Sequence, residues 1–425
     1  AAMEESSLLG PSAVGVRHLG LWAAPGDTGP PGGSLRLALV VAAHLGLFST
    51  STANLVMDTP DDLEVLTINA FACMTTLGMI VKVVSYVVDR GSFNALLVRL
   101  AAARRAHADP GGRNAATRAR RLAFGTALYR FTQVSTVFCT SLWSVAPLLG
   151  GSSGSRDFPV PIWLPLDMRA TPTYQVVYLL QVFCIWAVVQ GTVFLDTTFQ
   201  ILMLQLAAEL EVLNDNVAAI YNREVGPSAV KRAEDIKIDA SPQREKDEAI
   251  DRHGYIELHT DTAEDEMYSH LVSNIKHHQT VIGCLSQLET VMSHSTLILL
   301  SSNMVCICLH IFVTAVLLQD EIQFDKTFKM MCAFAIYTYQ TGLFCLIGQT
   351  IIDQSERLVN SAFSCAWPDA DARFKLSLSV FMVRSARLLE IRVGKMYTLS
   401  RETFLQILNG SYRLFNLLYQ TNLEN

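Results

Sequence analysis

Charge is scarce in this chain: 17% of its 425 residues are Asp, Glu, Lys or Arg, while 50% are hydrophobic. That balance excludes an ordinary soluble enzyme; the formal net charge of −6 is modest and the charges are grouped into loops, so the total says little about partners, and no nucleic-acid partner is expected. The amino end, AAMEESSLLGPSAVGVRHLGLWAAPGDTGPPGG, lacks the continuous apolar core of a cleaved signal peptide. The first membrane helix is therefore expected to act as the signal anchor. The cysteines form no even framework in a polar segment, which excludes a secreted disulfide scaffold and leaves buried thiols as the default. Metal pairs are missing too. Cys306 and Cys308 point to different faces of a helix, and the adjacent His277 and His278 cannot share one, so these histidines read as part of a solvated face. Lys82, Asp196 and Glu289 stand apart in the sequence and suggest no catalytic set. No enzymatic activity and no cofactor is expected.

What is present is a series of long apolar segments. Residues 35–56 and 65–88 read as the first two spans, separated by the acidic DTPDDLE. Arg90, Arg99, Arg104, Arg105, Arg113, Arg118, Arg120 and Arg121 then face Asp109 alone, which marks this stretch as a cytoplasmic loop. Residues 122–149 are the third span, and a Gly-, Ser- and Pro-rich outer loop follows. The fourth span starts near Tyr174 and continues as an amphipathic extension to about Tyr221, too long for a bilayer. Residues 222–266 are the most polar stretch and read as a flexible cytoplasmic loop. The fifth and sixth spans, within 267–366, also run past the membrane. Residues 367–393 hold an amphipathic helix opening at Pro368, too charged to span.

The chain closes with GKMYTLSRETFLQILNGSYRLFNLLYQTNLEN, 394–425, in which Ser400 signals a helix start. One face of this helix carries Gln406, Gly410, Arg413 or Leu414, Leu417 and Gln420 or Thr421. Hydrocarbon cannot satisfy a polar stripe, so the helix either packs inside a bundle or lines a pore. The result is an all-α membrane protein of seven transmembrane helices. The Arg-rich loop gives it an inverted topology, amino end inside and carboxyl end outside, with inner helix extensions forming an anchor. Residues 1–34 form a cytoplasmic amino-terminal segment, and residues 35–221 carry the first four spans.

The run GQTIIDQSERLVNSAFSCAWPDADARFKLSLSVFMVRSARLLEIRVGKMYTLSRETFLQILNGSYRLFNLLYQ, 348–420, closely resembles the carboxyl-terminal signature of insect odorant receptors, in the SYRLF form of ligand-selective members. The resemblance implies a ligand-gated cation channel of four subunits around a central pore. It implies that the last helix lines that pore, that the inner extensions form the anchor between subunits, and that the odorant sits in the outer half of each bundle. It also implies a hetero-tetramer with the shared odorant co-receptor subunit, in the plasma membrane of olfactory sensory neurons. A homotetrameric channel and a seven-helix receptor coupled to G proteins are the competing readings.

A volatile ligand needs an enclosed apolar pocket with a few polar groups. The expected walls are Asn69, Phe71 and Cys73; Thr136, Cys139 and Trp143; Tyr178, Val182 and Phe183; and Phe334, Tyr337 and Thr338. Each of these residues also reads as ordinary bundle core. Alignment of the tail with the family places Leu417 at an apolar constriction and Gln420 one turn further out, so the expected pore residues are Leu417 and Gln420.

Overall fold

The computed structural model describes residues 7–22, 33–57, 63–109, 112–150, 158–165, 167, 170–220, 247–318, 324–365 and 367–424. Helices dominate: α1 (Ser12–His18), α2 (Gly33–Met57), α3 (Leu63–Val88), α4 (Arg90–Ala106), α5 (Arg113–Gly150), α6 (Thr173–Ala218), α7 (Asp247–Leu317), α8 (Phe324–Phe363), α9 (Ala372–Ser385) and α10 (Arg401–Glu424). A two-stranded hairpin, β1 (Arg392–Val393) with β2 (Tyr397–Thr398), precedes α10. Among the described residues, five helical segments are long and apolar enough to cross a membrane: Leu35–Met57, Val65–Val88, Thr173–Ala218, Glu264–Leu317 and Met330–Phe363. The expected third and seventh spans are helical but do not meet that measure. Arg130, Gln133 and a run of Ser and Thr dilute α5, and Arg401, Glu402 and Arg413 dilute α10.

The centre of the molecule is α6. Every residue from Leu195 to Leu210 is buried, so this stretch is enclosed on all sides, as its apolar sequence FQILMLQLAA allows. Helices α8, α5, α7 and α2 pack around it, and α3 and α4 pack on α7. Where lipid surrounds the bundle, close packing and interhelical hydrogen bonds hold it, because lipid is as apolar as leucine. Beyond the lipid, withdrawing Leu206, Leu210 and Leu213 from water contributes about 1.5–3 kcal/mol each. The amino-terminal segment joins this core: Leu8, Leu9, Val16, Leu21 and Trp22 are buried, and Thr198 donates to Ser12 at 3.1 Å. Gly15 lets α1 approach α6, since a Cβ there would lie 2.2 Å from the Phe194 ring.

Four expectations are revised. The arginine-rich stretch is not a loop throughout: Phe93, Leu96, Leu97, Leu100 and Ala101 recur at helical spacing and bury one face of α4. His277 and His278 are 1% and 2% exposed rather than solvated, since neighbouring helices cover them: the His107 ring at the end of α4 stacks on His277 at 4.1 Å, and α9 sets Phe381 against His278. The segment 247–266, expected as part of a loop, is the first part of α7; residues 221–246 lie outside the described residues. Asp371, not Pro368, starts α9, its side chain accepting from the Phe374 N–H at 2.7 Å. The Ser400 signal does cap α10, with its hydroxyl accepting from the Thr403 N–H at 3.2 Å. Gly394, at φ 60°, lies in the hairpin turn against the Leu297 side chain, a conformation that suits glycine.

A charged cluster holds α4, α5 and α6 together. Glu209 is fully buried roughly 50 Å along α6 from Thr173, beyond a hydrocarbon core of about 30 Å. Arg104 Nε donates to it at 2.8 Å, and Arg118 at 3.0 and 2.7 Å; His277 Nε2 lies 3.2 Å away. Burial, with His277 beside it, holds His107 below the usual histidine range. Arg120 and Arg121 pair with Glu211 further out. Replacing Glu209 by Ala leaves two largely buried guanidinium groups, 14% and 12% exposed, without their carboxylate and is expected to cost about 3–5 kcal/mol. Arg120→Ala, at a side chain 66% exposed, is expected to cost less than about 1 kcal/mol. Melting temperatures of the two purified variants in detergent check this contrast; equal shifts refute it.

Candidate functional site

The site grows from helical spacing. Thr75, Met79 and Lys82 lie at i, i+4 and i+7 on α3, and Leu299, Ser302, Asn303 and Cys306 share one face of α7. Thr192 of α6 and Tyr337 and Gln340 of α8 complete the ring, with Met74 and Gly78 of α3. They line a cavity of about 50 Å³, room for a few water molecules.

One end of the cavity is charged. Lys82 Nζ lies 2.5 Å from Asp196 Oδ1, and the side chains are 3% and 6% exposed. Gln340 donates to the other Asp196 oxygen at 2.6 Å, so both carboxylate oxygens are engaged. Asn303 donates to the Thr341 hydroxyl at 3.0 Å and to Gln340 Oε1 at 3.4 Å. A pair this buried holds only when its remaining polar atoms find partners, and here a second hydrogen bond comes from α8. Behind the lining residue Tyr337 stands an aromatic group: Phe71 meets Trp143, His310 and Tyr337 edge-on, with ring centroids 6.3, 6.1 and 5.5 Å apart. The Tyr337 hydroxyl lies 3.3 Å from that of Thr75, which links the aromatic group to the cavity wall.

Of the expected wall residues, Phe71, Trp143 and Tyr337 come together in this group, and Phe334 packs beside Tyr337 and Cys306. The others are distributed elsewhere. Asn69 donates to Asn54 at 2.6 Å, and Cys73 lies 3.6 Å from the Thr52 hydroxyl, both toward α2. The Tyr178 hydroxyl donates to the Ser144 carbonyl at 2.6 Å, in a separate group with Tyr174 and Phe158. Thr136, Cys139, Val182 and Thr338 are half-buried, and Phe183 is 61% exposed and turns away from the bundle. On α10, Leu417 and Gln420 are exposed, on a face shared with Glu402, Gln406, Asn409 and Arg413. Gly410, expected on that face, instead meets Met304 of α7. Reading by sequence missed the wall supplied by α7, as well as Lys82 and Asp196 as partners. An ionisable residue at membrane depth calls for a named partner, and that signal was available.

Apolar helices long enough to cross a bilayer, gathered around a small cavity whose wall includes one member of a buried charge pair, define a polytopic α-helical membrane protein. The model of the seven-transmembrane odorant receptor family matches residues 62–412. The chain belongs to that family, a family of receptors rather than enzymes. It is 23% identical over 270 residues to odorant receptor Or2 of Anopheles gambiae, covering 62% of this chain and 61% of that one. It thus spans about three fifths of the length of that relative. It is 28% identical over 88 residues to the odorant receptor coreceptor of Harpegnathos saltator, covering 20% of this chain and 18% of that one. The fold is similar to that of the olfactory receptor OR5 of Machilis hrabei solved with eugenol, with a TM-score of 0.70 at 13% identity, covering 99% of this chain and 97% of that one.

Gly191 of α6 lies against a cavity-lining side chain, since a Cβ there would stand 2.8 Å from the methyl of Met79. Gly191→Val is expected to push that methyl into the cavity and raise the half-saturating concentration of larger ligands roughly tenfold, small ones changing less. Dose–response curves over a homologous ligand series check it; a uniform shift or none refutes the assignment.

Proposed function

We propose that this chain is the odorant-binding subunit of a tetrameric, odorant-gated, non-selective cation channel. In this reading it works with the shared co-receptor in the plasma membrane of olfactory sensory neurons. A small volatile occupies the bundle, and the seven helices, α5 and α10 included, cross the membrane with the amino end inside. The arginines of α4 and α5 support that orientation.

The observation that carries the reading is the outward face of α10. This helix of 24 residues is roughly 36 Å long, enough for a bilayer, yet Glu402, Gln406, Asn409, Arg413 and Gln420 all lie on exposed positions. Its opposite face is anchored, with Ile407 buried and Ser411 donating to the Met304 carbonyl of α7 at 2.9 Å. Lipid cannot cover amides and charges, so such a face belongs against water or other subunits. In a ring of subunits, Leu417 supplies an apolar closure and Gln420 supplies neutral carbonyl oxygens to a partly dehydrated cation.

Two sets of variants test this. Gln420→Arg is expected to reduce cation current and Leu417→Ser to raise basal leak, at matched surface expression; wild-type currents and permeabilities in both exclude α10 from the pore. Leu376, Val380 and Val383, at i, i+4 and i+7, form an apolar strip on α9 that is 69%, 64% and 75% exposed, flanked by the exposed Arg384 and Arg387. Val380→Asp on that strip is expected to reduce the tetramer fraction on native gels several-fold, because a contact between subunits would bury it. Full assembly of the variant removes α9 from the subunit contact.

A further inference from the structure

The charge pair in the cavity is already balanced, and this limits what the cavity accepts. Asp196 has both oxygens engaged, by Lys82 and Gln340. The Lys82 ammonium has three N–H donors, of which Asp196 takes one, and Lys82 lines the cavity. The other polar groups nearby are turned to partners within the protein. Thr192 and Ser302 donate to the carbonyls of Val188 and Leu299, at 2.9 and 3.0 Å, and Thr75 is joined to Tyr337. Met74, Met79, Leu299 and Cys306 supply the apolar wall, and the two methionines are unbranched and can re-pack around an occupant.

Building on the reading of this chain as a receptor for volatiles, we propose that the cavity selects small neutral compounds bearing one hydrogen-bond acceptor, an aldehyde, ketone or ester, whose oxygen accepts from the Lys82 ammonium. A hydrocarbon leaves that buried donor unmet. A carboxylate adds a second negative charge beside Asp196, and an alkylammonium adds a second positive charge beside Lys82; both upset a pair that is neutral as it stands. A neutral carbonyl does neither and forms a charge-assisted hydrogen bond.

The experiment compares hexane, hexanal, hexanoate and hexylamine at neutral pH on the full chain expressed with its channel partner, recording current. In parallel, the thermal shift of the purified chain in detergent is measured with the same compounds. Hexanal is expected to act at a concentration at least roughly tenfold below the other three in both assays. The double variant Lys82→Met with Asp196→Asn, which removes both charges together, is expected to bring hexanal and hexane to equal potency, while Lys82→Arg retains the preference. Thermal shifts that favour hexanal without any current retain the selectivity and overturn the channel reading. Equal shifts for hexanal and hexane, stronger binding of hexanoate, or an undiminished hexanal preference in a folded double variant overturns the selectivity itself, whatever the currents show.

Discussion

The arrangement of the molecule depends on one constraint: a charge carried by a fully enclosed helix must be met by a partner on another element. Helix α6 is buried on every side from Leu195 to Leu210, yet it carries Asp196, Gln205 and Glu209. Each finds a partner on another helix. Lys82 of α3 and Gln340 of α8 meet Asp196; Arg104 of α4 donates to Gln205 at 2.5 Å and also to Glu209, which Arg118 of α5 shares. Apolar packing alone tolerates sliding and rotation of smooth helices. A buried carboxylate left without its cation costs several kcal/mol, so these pairs specify how α3, α4, α5 and α8 sit around α6.

The two polar stations on α6 serve different surroundings. Around Glu209 the partners are arginines in a region continuous with exposed charge, where Arg120 and Glu211 reach solvent. Around Asp196 the neighbours are uncharged apart from Lys82, and one lysine and one amide engage both carboxylate oxygens while Lys82 lines a cavity. The first station is structural in character. The second sets a charged donor at a cavity wall, and in the proposed reading a stability role and a recognition role coincide in Lys82.

The surfaces left uncovered in a single chain follow the same reasoning in reverse. On α9 the open strip is apolar and stands outside the apolar spans, and on α10 the open face is polar on a helix of membrane length. In the proposed reading each is mismatched to the solvent a lone subunit would offer it, water in one case and lipid in the other. Both mismatches are relieved by one assembly, which is why the proposed ring accounts for them together.

Much was legible in the residues. Composition and hydropathy pointed to an all-helical membrane chain, Ser400 marked the start of the last helix, and the tail from 348 to 420 carried the family resemblance. These are local signals, set by a helix period, a cap or a run of side chains. The aromatic meeting of Phe71, Trp143 and Tyr337 was legible only as three separate candidates, and α4 was hidden because its arginines outweighed a clear apolar stripe. The pairing of Lys82 with Asp196, 114 positions apart, and the wall supplied by α7 were decided by the tertiary structure alone. Sequence spacing determines which residues share a face of one helix. Which faces then meet is settled by the packing of several helices at once, because the energy of a buried charge depends on every neighbour that encloses it.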